Sequence, residues 1–149
     1  MIAAQTASND DERNWGMYGH LSGILAYSGV PFGGVIGPLV LYLQNKRQRP
    51  FAAEQAWLAL NFHITISALQ LIAIIWAIVL YFMGIFSFAS QPRGDEFSWR
   101  AFSVLGAAAL CFFTYFLLYV WSFTLTIIGT VRASSGRLFA YPLTFPFVR

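Results

Sequence analysis

Residues 55–92 read QAWLALNFHITISALQLIAIIWAIVLYFMGIFSFASQP and contain no Asp, Glu, Lys or Arg. A membrane-spanning helix needs about 20 consecutive, mostly apolar residues, so this stretch is long enough to cross a bilayer. Two further stretches, 14–45 and 101–131, also lack these four residue types. The sequence therefore predicts an all-α integral membrane protein with three spanning segments.

The composition supports a membrane setting. Hydrophobic residues make up 58% of the chain and charged residues 10%, whereas soluble domains carry roughly 25% charged residues. Three spans would occupy most of the 149 residues, which leaves room for one membrane domain only. The predicted segments are an N-terminal arm (1–13), the first span (14–45), a basic loop (46–54), the second span (55–91), a loop (92–100), the third span (101–131) and a C-terminal tail (132–149).

Basic residues flank the apolar stretches. Three of them lie between the first two stretches and three follow the third, namely Lys46, Arg47, Arg49, Arg132, Arg137 and Arg149. By the positive-inside rule, the basic loop and the tail are cytoplasmic and loop 92–100 is exoplasmic. The expected location is the inner (cytoplasmic) membrane, with several crossings and a cytoplasmic C-terminus. This placement also explains the net charge of +3, so no nucleic-acid partner is expected.

The first apolar stretch cannot be one continuous helix. Residues 29–34 read GVPFGG, and proline removes a backbone donor while glycine removes conformational restraint. Pro38 is expected to restart the helix at a first helical position. The first span is thus predicted to be broken at Gly29–Gly34 and Pro38, either as a kinked crossing or as a re-entrant helical hairpin. Its link must be buried in protein or line a wet cavity, because unpaired backbone cannot face lipid.

Polar residues fall on two sides of the second stretch. On a helical wheel of 100° per residue, one stripe contains Glu54, Asn61 and Thr65, and a second, roughly opposite stripe contains His63, Ser67 and Gln70. A helix that faced lipid on one side would not carry polar groups on both. The second span is therefore predicted to be the central helix, contacted by other protein segments on two faces.

The third stretch separates small from aromatic residues. The small face contains Ser103, Ala107, Cys111, Thr114, Ser122, Thr126 and Gly129, and the other face contains Phe112, Phe113, Phe116, Tyr119 and Phe123. Small residues let membrane helices approach closely, so the small face is expected to pack and the aromatic face to meet lipid or a partner. Trp121 lies on the small-residue side, where the sequence offers no account of it.

Few residues are candidates for chemistry. His20 and His63 could in principle ligate a haem iron, but they suit interhelical hydrogen bonds better. Glu54 could serve a proton or cation, although an interfacial ion pair with the nearby Lys46, Arg47 or Arg49 is the favoured interpretation. The chain has no Walker loop and no HExxH, CxxC or GxSxG motif. No catalytic residue, metal site or cofactor is expected, and the protein is not expected to be an enzyme.

The C-terminal tail is too apolar to float in water. Residues 138–148 read LFAYPLTFPFV, and the prolines forbid a regular helix. This segment is expected to lie against the cytoplasmic side of the helices or against a partner. Together with the residues above, it completes the set of candidate polar or interaction positions: His20, Pro31, Pro38, Glu54, Asn61, His63, Gln70, Tyr141 and Pro142.

Several short elements resemble a known family. The elements are WGMYGHLSG at 15–23, IGPLVLYL at 36–43, ALNF at 59–62 and YPLT at 141–144. Their order, from about Glu12 to Arg149, resembles the small bacterial membrane proteins grouped as domain of unknown function 4870, which are similar to the chloroplast inner-envelope translocon subunit of the 20 kDa type. The resemblance implies three or four membrane helices and no established activity.

Two classes of function fit these features. In the first, the protein is a non-enzymatic accessory or assembly subunit that docks onto a larger membrane complex or onto copies of itself. Its partners would then be the lipid bilayer and other membrane subunits. In the alternative, it is a transport or protein-translocation element that acts as an oligomer, with the broken first helix and Asn61, His63 and Gln70 bordering the path. The first class is the one expected.

Overall fold

The computed structural model describes residues 7, 9–28, 32–89 and 96–148, and for 87–89, 96–98, 100 and 101 it describes the backbone only. The elements are α1 (Asp10–Leu21), a 3₁₀ helix (Ser22–Tyr27), α2 (Gly33–Asn45), α3 (Pro50–Ala89) and α4 (Glu96–Ser134). These described residues contain no strand, so the all-α prediction is confirmed for them. The predicted break at Gly29 and Pro31, and loop residues 92–95, lie outside the described residues.

Two helices in this part of the chain could cross a bilayer. Pro50–Phe86 within α3 and Phe102–Ser134 within α4 are long and apolar enough to do so. The prediction of three spans is not confirmed, because the first apolar stretch is divided into short helices. Of these, α2 has 13 residues and extends about 20 Å, which is less than the roughly 30 Å of a hydrocarbon core.

The first apolar stretch folds back on itself. Gly33 lies against the Leu25 carbonyl and Gly37 against the Ser22 carbonyl, so α2 runs antiparallel to the 3₁₀ helix. The two ends meet where the Arg49 Nε atom lies 2.5 Å from the Asp11 Oδ2 atom. This N-terminal hairpin (residues 10–45) has the geometry of the second of the two predicted alternatives.

The helix restarts earlier than the sequence predicted. Gly33 and Gly34 begin α2, and Pro38 lies inside it rather than at its first position. Phe32 explains the difference, because its carbonyl accepts hydrogen bonds from the Val35 and Ile36 amides, each at 2.9 Å, and so starts the helix. Pro38 then lies in the second turn, where its missing N–H removes only the bond to the Gly34 carbonyl.

The long helices also begin before their predicted spans. Pro50 is the first residue of α3, a position that suits its fixed φ and missing donor. Five residues of the predicted basic loop are therefore helical. At the other end, α4 stops at Ser134, and Gly136 follows with a φ of 73°. This left-handed conformation, which glycine adopts without steric cost, turns the chain back toward α3.

The chain forms two compact units. The first unit contains residues 1–67 and 121–149, and the second contains residues 68–120. In the first unit, α3 is the central element, since all of residues 51–67 are buried or half-buried. The two-sided packing predicted for this helix is thus present here. On α4, the small residues Ser122, Thr126 and Gly129 are buried in the same unit.

The second unit is a pair of apolar helix segments. Gly84 on α3 faces Val104 on α4, and an apolar groove between the two segments is lined by residues that include Ala77, Ala108 and Cys111. Large hydrophobic side chains cover the outside of the unit. Among them are Trp76, Phe82, Phe86, Leu110, Phe112 and Phe113, each more than half exposed.

The close contact at Gly23 provides a test of the hairpin packing. A Cβ atom on Gly23 would lie 2.0 Å from the His63 Nε2 atom, and His63 is buried. We expect Gly23→Ala to lower the free energy of unfolding by about 1–3 kcal/mol, as overpacking of a filled core does. Thermal unfolding in detergent, followed by circular dichroism, measures the change.

Gly106→Ala is the matched control. No atom lies within 4 Å of a Cβ placed on Gly106, and replacing a mid-helix glycine by alanine stabilises by about 0.5–1 kcal/mol. A Gly23→Ala protein as stable as the Gly106→Ala protein would contradict the described packing.

Candidate functional site

Three buried side chains from distant parts of the chain form a hydrogen-bonded cluster, which we call the hub: His20, Gln55 and Tyr141. His20 lies in the last turn of α1 and is fully buried. Its Nε2 atom lies 2.6 Å from the Gln55 Oε1 atom, and its Nδ1 atom lies 2.7 Å from the Tyr141 hydroxyl. The hub therefore joins α1, α3 and the C-terminal segment.

The partners of His20 assign its tautomer. An amide oxygen only accepts, so the His20 Nε2–H donates to Gln55 and Nδ1 accepts from the Tyr141 hydroxyl. The orientation of the Gln55 amide is fixed in turn, because its Nε2 donates to the Arg137 carbonyl at 2.7 Å. Burial raises the pKa of the Tyr141 hydroxyl well above its usual value, so the hydroxyl keeps the proton that it donates.

His63 lies about two turns beyond Gln55 on α3 and also faces the N-terminal hairpin. Its ring packs against Gly23 and Gly34, and its Nε2 atom lies 3.5 Å from the Thr126 Oγ1 atom. The Thr126 hydroxyl donates to the Ser122 carbonyl at 2.9 Å, which leaves His63 as the donor in the longer contact. His20 thus contacts α3 and the C-terminal segment, and His63 contacts the N-terminal hairpin and α4.

The chain after α4 forms what we call the strap, residues 137–148, which lies along α3. The Val148 amide donates to the Asn61 Oδ1 atom at 2.9 Å, and the Val148 carbonyl accepts from the Trp57 indole at 2.7 Å. Farther along α3, the Phe145 amide donates to the Thr65 hydroxyl at 3.2 Å. The prediction that this segment lies against the helices is met by these bonds.

Aromatic rings anchor the strap. Tyr141 stacks on Phe62 with 4.0 Å between ring centroids and 10° between planes, and Phe139 meets Tyr141 edge-on at 4.9 Å. Trp121 packs on the same Phe62 ring at 6.2 Å. This contact explains the tryptophan for which the sequence offered no account, because its ring extends the aromatic cluster between α3 and α4.

Of the three basic residues named as partners for Glu54, Arg49 pairs elsewhere. Arg49 pairs with Asp11, not with Glu54, and its guanidinium also lies over the Trp15 ring at 4.9 Å. The folding back of the N-terminal hairpin brings the acidic start of α1 to Arg49. Glu54 instead lies one turn inside α3, since that helix begins at Pro50.

The remaining predicted positions do not join the hub. Gln70 is half-buried in the second unit, whereas Asn61 and His63 belong to the first. Pro142 is exposed. It precedes Leu143, where the left-handed backbone, with a φ of 57°, bends the strap. Pro38 is buried inside α2, and Pro31 lies outside the described residues.

Sequence reasoning missed two members of the polar network. Gln55 was treated as a span boundary, although its amide contacts His20, Arg137 and Phe139. Tyr27 donates to the Ser122 hydroxyl at 2.8 Å and so links the 3₁₀ helix to α4. Their partners lie 35 to 95 positions away in the chain, and no local pattern marks such pairs. The described residues hold no cluster of three or more His, Cys, Asp or Glu side chains suited to a metal ion.

The fold and its internal polar network define a small, all-helical membrane protein with at least two long apolar helices. The chain belongs to the MamF/MmsF magnetosome magnetite crystal formation protein family, which matches residues 11–148. No curated protein matches the chain, and no solved structure does.

The family match corrects the resemblance drawn from the sequence. The assignment to domain of unknown function 4870, and through it to a chloroplast translocon subunit, is wrong. The residues that carried this resemblance serve the fold, as His20 and Tyr141 bond within the hub and Phe62 stacks on Tyr141. Motifs that specify packing do not identify an activity.

Tyr141→Phe tests the hub. The substitution keeps the ring stacked on Phe62 but leaves the buried His20 Nδ1 atom without its donor, and an unsatisfied buried polar group costs about 1–3 kcal/mol. We expect the free energy of unfolding in detergent to fall by this amount. Tyr18→Phe is the control. Because Tyr18 is 44% exposed, removing its hydroxyl should change the free energy of unfolding little. Equal stabilities of the two variants would refute the hub as a stabilising element.

Deletion of residues 141–149, which removes most of the strap, tests its contribution to folding. The deletion removes the hydroxyl bound to His20, the ring stacked on Phe62 and the backbone groups bound to Asn61 and Thr65. We expect a lower folded yield, measured as the monodisperse fraction in size-exclusion chromatography after extraction. Full retention of yield and of thermal stability would show that the strap is dispensable.

Proposed function

We propose that this protein is a non-enzymatic accessory or assembly component of the magnetosome membrane that takes part in magnetite crystal formation. It acts by docking onto other membrane proteins or onto copies of itself. The process and the membrane are supported by the family to which the chain belongs. The docking role is supported by the exposed aromatic face of the second unit, which is the observation that carries the proposal.

The apolar helices are longer than a bilayer requires. The uncharged residues 55–86 of α3 extend about 48 Å at 1.5 Å per residue, whereas a hydrocarbon core is about 30 Å thick. Even at a tilt of 40°, the upper end of the range for spanning helices, this stretch rises about 37 Å along the bilayer normal. The first unit covers residues 55–67 of this stretch from within the chain, so the apolar surface that remains for a partner lies on residues 68–86 and on the α4 segment beside them.

The second unit offers that surface. Its outward side chains are aromatic or aliphatic, and Phe112 and Phe116 stack on one another at 6.4 Å between centroids. Aromatic residues dominate the energetics of protein interfaces. A partner helix laid along these rings would bury their exposed faces, so we assign docking to this face.

The first unit serves as the anchor. Its buried polar side chains are used within the chain: every buried side-chain nitrogen or oxygen in the described part has a hydrogen-bond partner. Such a saturated network rigidifies a fold. This supports a structural role for His20 and His63 rather than a catalytic one.

Charge and geometry support one orientation. With α3 and α4 as the two crossings and the N-terminal hairpin as a re-entrant element, residues 1–13 lie on the same side as the basic loop. Seven of the nine basic residues then lie on that side, all except Arg93 and Arg100. By the positive-inside rule, this side and the C-terminus are cytoplasmic.

Native mass spectrometry after gentle extraction from magnetosome membranes tests the proposal. We expect a particle heavier than one chain, and we expect Phe112→Ala combined with Phe116→Ala to reduce its population and to change the crystal size distribution seen by electron microscopy. Ile127→Ala with Ile128→Ala is the matched control, since both residues are exposed on α4 in the first unit. A monomeric particle with unchanged crystals in the aromatic variant would reject docking.

A second pair of variants separates a structural from a catalytic role of the histidines. In cells, we expect His20→Gln and His63→Gln to impair crystal formation only in proportion to the loss of the protein from the membrane, quantified by immunoblotting. Normal abundance with abolished crystal formation would point to chemistry at a histidine and would reject the non-enzymatic role.

A further inference from the structure

The strap runs along α3 in the first unit and then turns back toward its starting end. Its start is held at Gln55, whose amide donates to the Arg137 carbonyl, and the Phe145 amide reaches Thr65. The chain then returns, because Val148 bonds to Asn61 and Trp57. The return begins after Phe145, whose carbonyl accepts from the Phe147 amide at 3.0 Å.

The apex of the strap lies deep along α3. Thr65 is ten residues beyond Gln55, which corresponds to about 15 Å along a helix. The headgroup zone of one leaflet is only about 5–8 Å thick. Gln55 lies next to the charged residue Glu54 and holds the backbone of exposed Arg137, so it marks the polar end of the unit. The apex at Phe145 thus falls at hydrocarbon depth.

Side chains of α3 pair the strap backbone at Phe145 and Val148. Non-helical backbone at this depth is tolerated only where protein groups satisfy it. Asn61, Thr65 and Trp57 supply those groups to Phe145 and Val148. The polar residues on this face of a membrane helix thereby acquire a specific purpose, which is to bind the strap.

The outward side chains of the strap are apolar. Leu143 is 76% exposed, Phe145 70% and Phe147 56%, while the inward face covers the central helix α3. Since the strap forms the outer layer of this side of α3, its outward face occupies the position that lipid would otherwise occupy on that helix.

We propose that residues 141–148 form a re-entrant membrane loop whose outer side chains, Leu143, Phe145 and Phe147, contact the acyl chains of the bilayer. The partner of this surface is lipid, not a soluble protein, because the depth of the apex and the apolar outer face match the hydrocarbon region, and α3 side chains pair the backbone at Phe145 and Val148. These side chains are different residues from those assigned to docking.

Site-directed spin labelling of the full chain tests the loop. The background is Cys111→Ala, which removes the single cysteine, and the labelled variants are Leu143→Cys, Phe145→Cys and Phe147→Cys. Each protein is reconstituted into phosphatidylcholine and phosphatidylglycerol vesicles. Collision rates with oxygen, which concentrates in lipid, and with a water-soluble nickel chelate are then measured by electron paramagnetic resonance.

Two exposed residues of the first unit calibrate the measurement. Ile128→Cys on α4 provides the lipid reference, and Ser135→Cys in the turn after α4 provides the water reference. We expect the oxygen-to-nickel ratio at Phe145 to equal that at Ile128, to exceed that at Ser135, and to fall from Phe145 to Phe147 as the chain returns. The three labelled sites are exposed, and if one variant fails to fold, the other two still report the ranking.

Either of two results would overturn the proposal. Nickel accessibility at Leu143 and Phe145 equal to that at Ser135 would place the loop in water. Inaccessibility to both reagents, with an immobilised spectrum, would mean that protein rather than lipid covers the loop.

Discussion

The organisation of the first unit depends on the need to pair every polar backbone group away from water. Only helices and closed barrels satisfy their own backbone in lipid, and any other chain segment needs partners from the protein. The first half of α3 supplies such partners through Gln55, Asn61 and Thr65. The polar residues of this helix therefore form the hydrogen bonds that water would otherwise form with the strap. Both the N-terminal hairpin and the strap pack on this helix.

The hub makes this assembly cooperative. His20 is bonded to residues 35 and 121 positions away, and each bond fixes the geometry of the next. Gln55 accepts from His20 and donates to the strap backbone, while the Tyr141 ring stacks on Phe62. A change at one member leaves a buried group unpaired, which costs more than the bond itself contributes. The hairpin, α3 and the strap therefore stabilise one another through the hub.

Local sequence pattern predicted the helices, the two polar stripes of α3 and the apolar tail lying on the helices, because each depends on residues a few positions apart. It could not choose between a crossing and a hairpin, since that choice depends on Gly37 meeting Ser22. It favoured an ion pair of Glu54 with Lys46, Arg47 or Arg49 because they are close in sequence, whereas the fold brings Asp11 to Arg49. The hub was visible only as isolated candidates, His20 and Tyr141, because their proximity is tertiary.

The separation of His20 and Tyr141 also dictates an order of events during synthesis. A ribosome that has made α1 must add more than a hundred residues, including both long helices, before Tyr141 exists. The nascent first unit can join His20 to Gln55 early, but the face of α3 that carries Asn61 and Thr65 stays open to its surroundings until the strap arrives. Assembly therefore passes through a stage in which the polar face of α3 is not yet closed by the strap.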